Sequence, residues 1–233
     1  MAAGGVVLCF HLVDGGVGGP VDLDLKAFSA CLDRLSSEPV FSVADVVKSG
    51  RGVALTFDDA FENFYDVVWP RLRAARLPVT LFVPTGFVDG THISPLSTAP
   101  QLRPCTWAQL RQMRDEGLEI GSHTRRHLNL RHLDDDAIDA DLTAAAQRLR
   151  DELGVTEPPL CYPQAKWSPR VERVARQHHQ LIVTGGGTRV DPRRPWRVPR
   201  TSMVAGGPSL DRVLAWPVEP REWVADKVRQ WRR

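Results

Sequence analysis

Apolar positions along the chain follow two rhythms. Short continuous runs, VVLCF (6–10), GVALTF (52–57), PVTLFV (78–83), LEIGS (118–122), PLCYP (159–163) and QLIVT (180–184), are bounded by glycine, proline or polar residues and read as buried strands. Between them apolar residues recur at helical spacing. In LKAFSACLDRL (25–35), Leu25, Phe28, Leu32 and Leu35 fall on one face. FYDVVWPRLRAARL (64–77) is helical but kinked or divided by Pro70. TWAQLRQMRDEG (106–117) reads as a helix, and 134–153 as a long one with an acidic first turn. SPRVERVARQHH (168–179) carries a serine cap and a proline at its first position. The stretch 84–104, rich in Pro, Ser, Thr and Gly, is irregular, and loops that long are usually functional or mobile. Strands alternating with helices imply an α/β fold with a largely parallel sheet, open or closed into a barrel. No stretch reads as a linker and no internal repeat is present, so the expectation is a single domain over 1–233.

Composition narrows this little. The 233 residues are 42% hydrophobic and 25% charged, an ordinary globular balance. A net charge of +2 gives no ground for nucleic-acid binding. The four cysteines show no CxxC spacing, which predicts buried, reduced thiols and a reducing compartment. No run approaches the roughly 18 apolar residues of a membrane span. The N-terminus lacks a basic region followed by an apolar one, so the expected location is cytoplasmic, without membrane insertion. Residues 218–233 are expected to form an amphipathic helix packed on the body.

Three places carry candidate chemistry. Asp58 and Asp59 sit where the strand GVALTF ends, the end at which parallel α/β folds gather functional side chains. Taken alone, such a pair is more often a turn with an aspartate helix cap. His123 and His127 are four apart, so a helical turn would place both imidazoles on one side. Two imidazoles and a carboxylate suit zinc, iron or a related divalent ion, with positions left open for water. His11 ends the first strand, either capping it or donating a proton into a cleft.

The ordered combination TFDDA, SHTRRHLNL, a YP strand end and WRVPR resembles the polysaccharide deacetylases of carbohydrate esterase family 4, the NodB-homology domain. The resemblance spans Val6 to about Arg200. It implies a distorted (β/α) barrel with a divalent metal, zinc in the first instance and otherwise cobalt or nickel, at the carboxyl ends of the strands. It also implies Asp58 as catalytic base, and Asp59, His123 and His127 as metal ligands. Tyr162, Pro163 and Trp196 are then expected to contact substrate, and the backbone N–H of Gln164 to hold the oxyanion. The match has departures. Ala60 stands where the family has glycine and must adopt a turn conformation that glycine makes easier. Cys161 stands where an arginine usually orients the base. WRVPR is similar to a motif of the subgroup related to biofilm poly-N-acetylglucosamine deacetylases, which suggests Arg200 as the missing cation. Surface salt bridging by Arg197 and Arg200 is the competing reading. No histidine follows His179, so the family's usual C-terminal acid is absent. In that subgroup an N-terminal strand ending in YH supplies it, and Phe10-His11 fits the place. The activity implied is hydrolysis of the N-acetyl amide of an amino sugar or glycoconjugate. The alternatives are hydrolysis of another C–N bond in a small metabolite, or non-catalytic sugar binding.

Overall fold

The computed structural model describes residues 4–187 and 189–215. The chain begins with β1 (Val6–Phe10), a short parallel pair β2 (Leu12–Val13) and β3 (Asp22–Leu23), α1 (Leu25–Leu35) and α2 (Val43–Ser49). β4 (Val53–Phe57) leads to a π-helical turn (Phe64–Val68) and α3 (Trp69–Ala74), then β5 (Val79–Val83), α4 (Thr85–Val88) and α5 (Trp107–Asp115). β6 (Glu119–Ser122), α6 (Asp135–Leu153), β7 (Leu160–Cys161), α7 (Pro169–Ala175), β8 (Ile182–Gly185), β9 (Val198–Ser202) and α8 (Leu210–Ala215) complete it. The seven long-range strands close into a parallel barrel in the order β1-β4-β5-β6-β7-β8-β9, and β9 pairs back onto β1 through Leu8↔Thr201 and Cys9↔Ser202. β7 meets β6 at a single pair, Ser122↔Leu160, which makes the barrel irregular there. This is the distorted (β/α) barrel that the resemblance implied, and it closes the parallel sheet that the alternation left open or closed.

Local chemistry sets the element ends. Asp24, Ser42, Thr106, Asp134 and Ser168 each cap a helix by accepting a backbone N–H from three residues on. Pro70 does divide its segment, lying in the first turn of α3 just after the π-helical turn. α2 and β9 were not expected as elements. β9 hides because its register interrupts apolar residues with Pro199 and Arg200, and only pairing with β8 and β1 makes it a strand. The helix expected over 218–233 lies outside the described residues. Among the described residues no helix is long and apolar enough to cross a membrane.

Strand side chains alternate between two environments. Val6, Leu8, Phe10, Val53, Leu55, Phe57, Val79 and Leu81 pack outward beneath helices, with Phe28, Leu35, Val68 and Leu72. Val7, Ala54, Phe82, Cys161, Val183 and Val198 belong to a separate cluster. Phe57 links the outer layer: it stacks on Phe10 with centroids 5.0 Å apart and meets Phe28 and Phe64 edge-on. It directly precedes Asp58. Phe57→Ala is therefore expected to cost about 3–5 kcal/mol, the usual range for a truncated core phenylalanine. Urea denaturation would measure this, and a loss below about 1 kcal/mol would mean that the cluster collapses around the gap.

Candidate active site

Asp58, the first residue after β4, donates its backbone N–H to Phe10 O at 3.0 Å, which sets it beside His11. Its side chain has the inward parity of Ala54 and Thr56. Asp59 would face the opposite way on a continuing strand. Instead its φ is 74° and that of Ala60 is 50°, and this left-handed pair turns the second carboxylate back to the mouth. Ala60 thus adopts the conformation anticipated for the family's glycine.

His123 and His127 converge without a helical turn. They occupy a loop in which Thr124 (φ 65°) and His127 (φ 52°) are both left-handed, and their rings meet edge-to-face at 4.7 Å. Three contacts hold the loop. Thr124 Oγ1 accepts the His127 N–H at 3.1 Å. Asp141, buried on α6, accepts the Arg125 N–H at 2.8 Å and Arg126 Nε at 2.6 Å. Gly86 N–H donates to Arg125 O at 2.9 Å, and a β-carbon on Gly86 would lie 2.6 Å from that oxygen, so the approach requires glycine.

Asp59 Oδ1 lies 3.5 Å from His123 Nε2 and 3.4 Å from His127 Nε2, and it is buried without a hydrogen-bond donor. Donors on a tetrahedral cation with bonds of about 2.0–2.1 Å stand roughly 3.3–3.4 Å apart, so these spacings fit one. His123 Nδ1 lies 2.9 Å from Cys161 O; as donor there, it leaves the Nε2 lone pair facing Asp59. Burial pushes the Asp59 carboxyl well up, and the Asp58 charge adds to this. Burial also pulls His123 down to about 4 and His127 well below the usual histidine value. Two neutral imidazoles around an orphaned carboxylate oxygen make a donor set suited to a divalent cation.

The environment treats Asp58 in the opposite way. Burial alone would raise its carboxyl, but the Arg200 guanidinium, then His123, hold it well below the usual carboxylate range. Arg200 donates Nη1 to Oδ1 and Nη2 to Oδ2, both at 2.7 Å, and Nη1 also to Thr56 Oγ1 at 3.0 Å. Both partners are inside the barrel, 4% exposed, so Arg200 does not make a surface ion pair. Arg197 does take part in structural pairing, as a fork on Glu172 at 2.7 and 3.0 Å. His11 Nε2 stands 3.8 Å from Asp58 Oδ2, with its side chain 24% exposed at the rim. Burial lowers its pKa, the Asp58 charge opposes that, and Arg200 adds to the lowering. Gln164 is exposed, with φ 58°, in the turn after β7.

Two expected substrate contacts lie elsewhere. Tyr162 is fully buried among Leu130, Ile138, Leu142 and Val171, because it follows inward-facing Cys161 and so faces the helices. Trp196 precedes β9, about 13 Å along the chain from Arg200 at strand rise, and packs under Arg176 at 3.9 Å. Pro163 is buried beneath the same turn. Sequence reasoning also missed supporting residues. Asn63 clamps Val13 by accepting its N–H at 3.1 Å and donating to its carbonyl at 2.9 Å, which fixes the segment after His11. Its place in DDAFENF was a usable signal, whereas Asp141 and Thr56 gave none.

The sequence matches the polysaccharide deacetylase family over residues 45–182, more than half of the chain. The chain belongs to the polysaccharide deacetylase family. Its fold is similar to that of the Streptococcus pyogenes deacetylase PplD in complex with acetate, with TM-score 0.78 and 19% identity over 94% of this chain and 100% of that one. It is likewise similar to IcaB from Ammonifex degensii, with TM-score 0.72 and 22% identity over 91% and 96% of the two chains. A de-N-acetylase from Aggregatibacter actinomycetemcomitans gives TM-score 0.73 and 16% identity over 90% and 98%. Among curated proteins none matches the sequence.

Asp141 holds the backbone and Arg126 between the two histidines, not either imidazole, so Asp141→Asn should weaken zinc binding by less than the roughly 10–100-fold lost with a direct partner of a ligand. Competition against a chromophoric chelator would read this. Unchanged affinity in a folded variant would assign the loop's rigidity to Gly86 and Thr124 alone.

Proposed function

We propose that this chain hydrolyses the N-acetyl amide of an amino sugar or glycoconjugate, releasing acetate. The observation that carries the reading is the orphaned Asp59 Oδ1 between two imidazole Nε2 atoms, with a second carboxylate, Asp58, held ionised beside it. Family membership and likeness to a deacetylase in complex with acetate support it.

Asp59, His123 and His127 would hold the cation. When bound there, a divalent ion supplies Lewis-acid polarisation of the amide carbonyl and acidification of water. Asp58 accepts the proton of the attacking water, and Arg200 keeps its carboxylate ionised and aimed. An amine leaves poorly unless protonated, and His11 delivers that proton. A histidine whose pKa is depressed by burial is a ready donor once charged. The Gln164 N–H, in the turn after β7, is assigned to the developing oxyanion.

The test joins metal content to two substrates. His127→Ala should lose bound metal and acetate release together. His11→Ala should keep its metal and lose about 10²–10⁴ in turnover on an N-acetyl sugar. It should be largely spared on an aryl acetate, whose phenolate leaves without a proton. Equal losses on amide and ester, or a matching fall in melting temperature, would make His11 structural; wild-type protein that binds no zinc would overturn the whole reading.

The pH profile tests Arg200. Activity needs Asp58 ionised, so the acidic limb of kcat/KM follows its carboxyl. Arg200 lowers that pKa, so Arg200→Met should move the limb to higher pH as well as lower turnover. The alkaline limb, which follows His11, should lie below the ordinary histidine value because burial depresses it. An unmoved acidic limb in Arg200→Met would show that the base is set by other groups.

A further inference from the structure

Behind the Asp58 carboxylate lies a second group of donors that the proposed reaction uses only in part. Cys9 and His11 are two apart at the end of β1, so strand geometry turns both to one side. Cys9 Sγ is 3.6 Å from Asp58 Oδ2, His11 Nε2 is 3.8 Å from the same oxygen, and all three donor atoms lie within 4.8 Å of one another. With Zn–S near 2.3 Å and Zn–N or Zn–O near 2.0–2.1 Å, a tetrahedral ion holds sulfur and oxygen about 3.5 Å apart and nitrogen and oxygen about 3.4 Å apart. The two Asp58 edges therefore need adjustments of only tenths of an ångström. The rim position of His11 gives it the freedom to close the third.

We infer that Cys9, His11 and Asp58 form a second, lower-affinity site for a thiophilic divalent cation such as zinc, and that filling it stops the reaction. The inhibition rests on the base and acid roles proposed above; the binding does not. Coordination would occupy the base through Oδ2 and the acid through Nε2 in one event. Two features make this site weaker than the Asp59 set. Cys9 is a buried neutral thiol, so its proton must leave to solvent as the ion enters. Arg200 Nη2, 2.7 Å from Asp58 Oδ2, repels an incoming cation. In return the site offers sulfur, which the first lacks and which thiophilic ions prefer.

Cobalt(II) titration of the metal-free protein distinguishes the two sites, because only the second has a thiolate. The first equivalent should give ligand-field bands without sulfur-to-cobalt charge transfer, and the second should add the charge-transfer band. His127→Ala should lose the first signal and keep the thiolate band, so failure of the Asp59 reading is seen separately. Cys9→Ser, and Cys9→Ala as a check on folding, should remove the band and bring the stoichiometry to one. Cys161→Ser should keep it. With zinc, acetate release by the wild type should fall at least roughly tenfold between one equivalent and a large excess, as loss of acid and base demands. The same ratio should stay near one in Cys9→Ser. No charge-transfer band in wild type and His127→Ala overturns the inference, as does a band that survives Cys9→Ser. A band lost in Cys161→Ser also overturns it, by moving the ion to the neighbouring Asp58–His123–Cys161 group.

Discussion

A guanidinium and a carboxylate meet inside this barrel with both nitrogens on both oxygens, and much of the site depends on that contact. Arg200 reaches Asp58 because β9 closes the barrel against β1 and carries an inward-facing residue at that level. A buried ion pair is a doubtful source of stability, since desolvating two charges offsets most of their attraction. Here the pair has another consequence. It keeps one of two adjacent carboxylates charged in a place where burial and its neighbour favour neutrality.

The same interaction separates the two aspartates. Asp58 has the arginine; Asp59 has burial, a negative neighbour and no hydrogen-bond donor on Oδ1. Two like groups at adjacent positions thus become a charged carboxylate and an oxygen that a cation would satisfy. Their opposite directions come from the left-handed turn at Asp59 and Ala60, so the backbone as well as the charges divides the roles.

Rigidity is supplied from outside the site. Asp141 on α6 and Gly86 on α4 tie down the loop between His123 and His127, and Asn63 ties the segment after His11. Cys161, which stands where the family usually has an arginine, gives its carbonyl to His123 and its thiol to the Arg200 cluster, accepting from Nη2 at 2.8 Å. An arginine is thus missing from its usual place in sequence, while its charge is present in space.

Strand runs, helix faces, caps and the TFDD and SHxxxH motifs were legible in the sequence because each depends on residues close together along the chain. Alternation implied the parallel sheet, and the strand end implied that Asp58 and Asp59 would lie at a mouth. Alternation alone did not say whether the sheet closed, since closure depends on β9 pairing with β1 across nearly the whole chain, and it was the resemblance carried by the motifs that implied a barrel. The convergence of His123 and His127 was expected, but it comes from two left-handed residues and a buried aspartate rather than from helical spacing. Tyr162 and Trp196 were misplaced for a related reason. A motif gives proximity in sequence, but which side of a strand or which end of a barrel a residue occupies is set by register. The sequence by itself determined the residue types able to do the chemistry. Only the tertiary structure decided which of them share one low-dielectric space, where a single arginine sets the charge of Asp58.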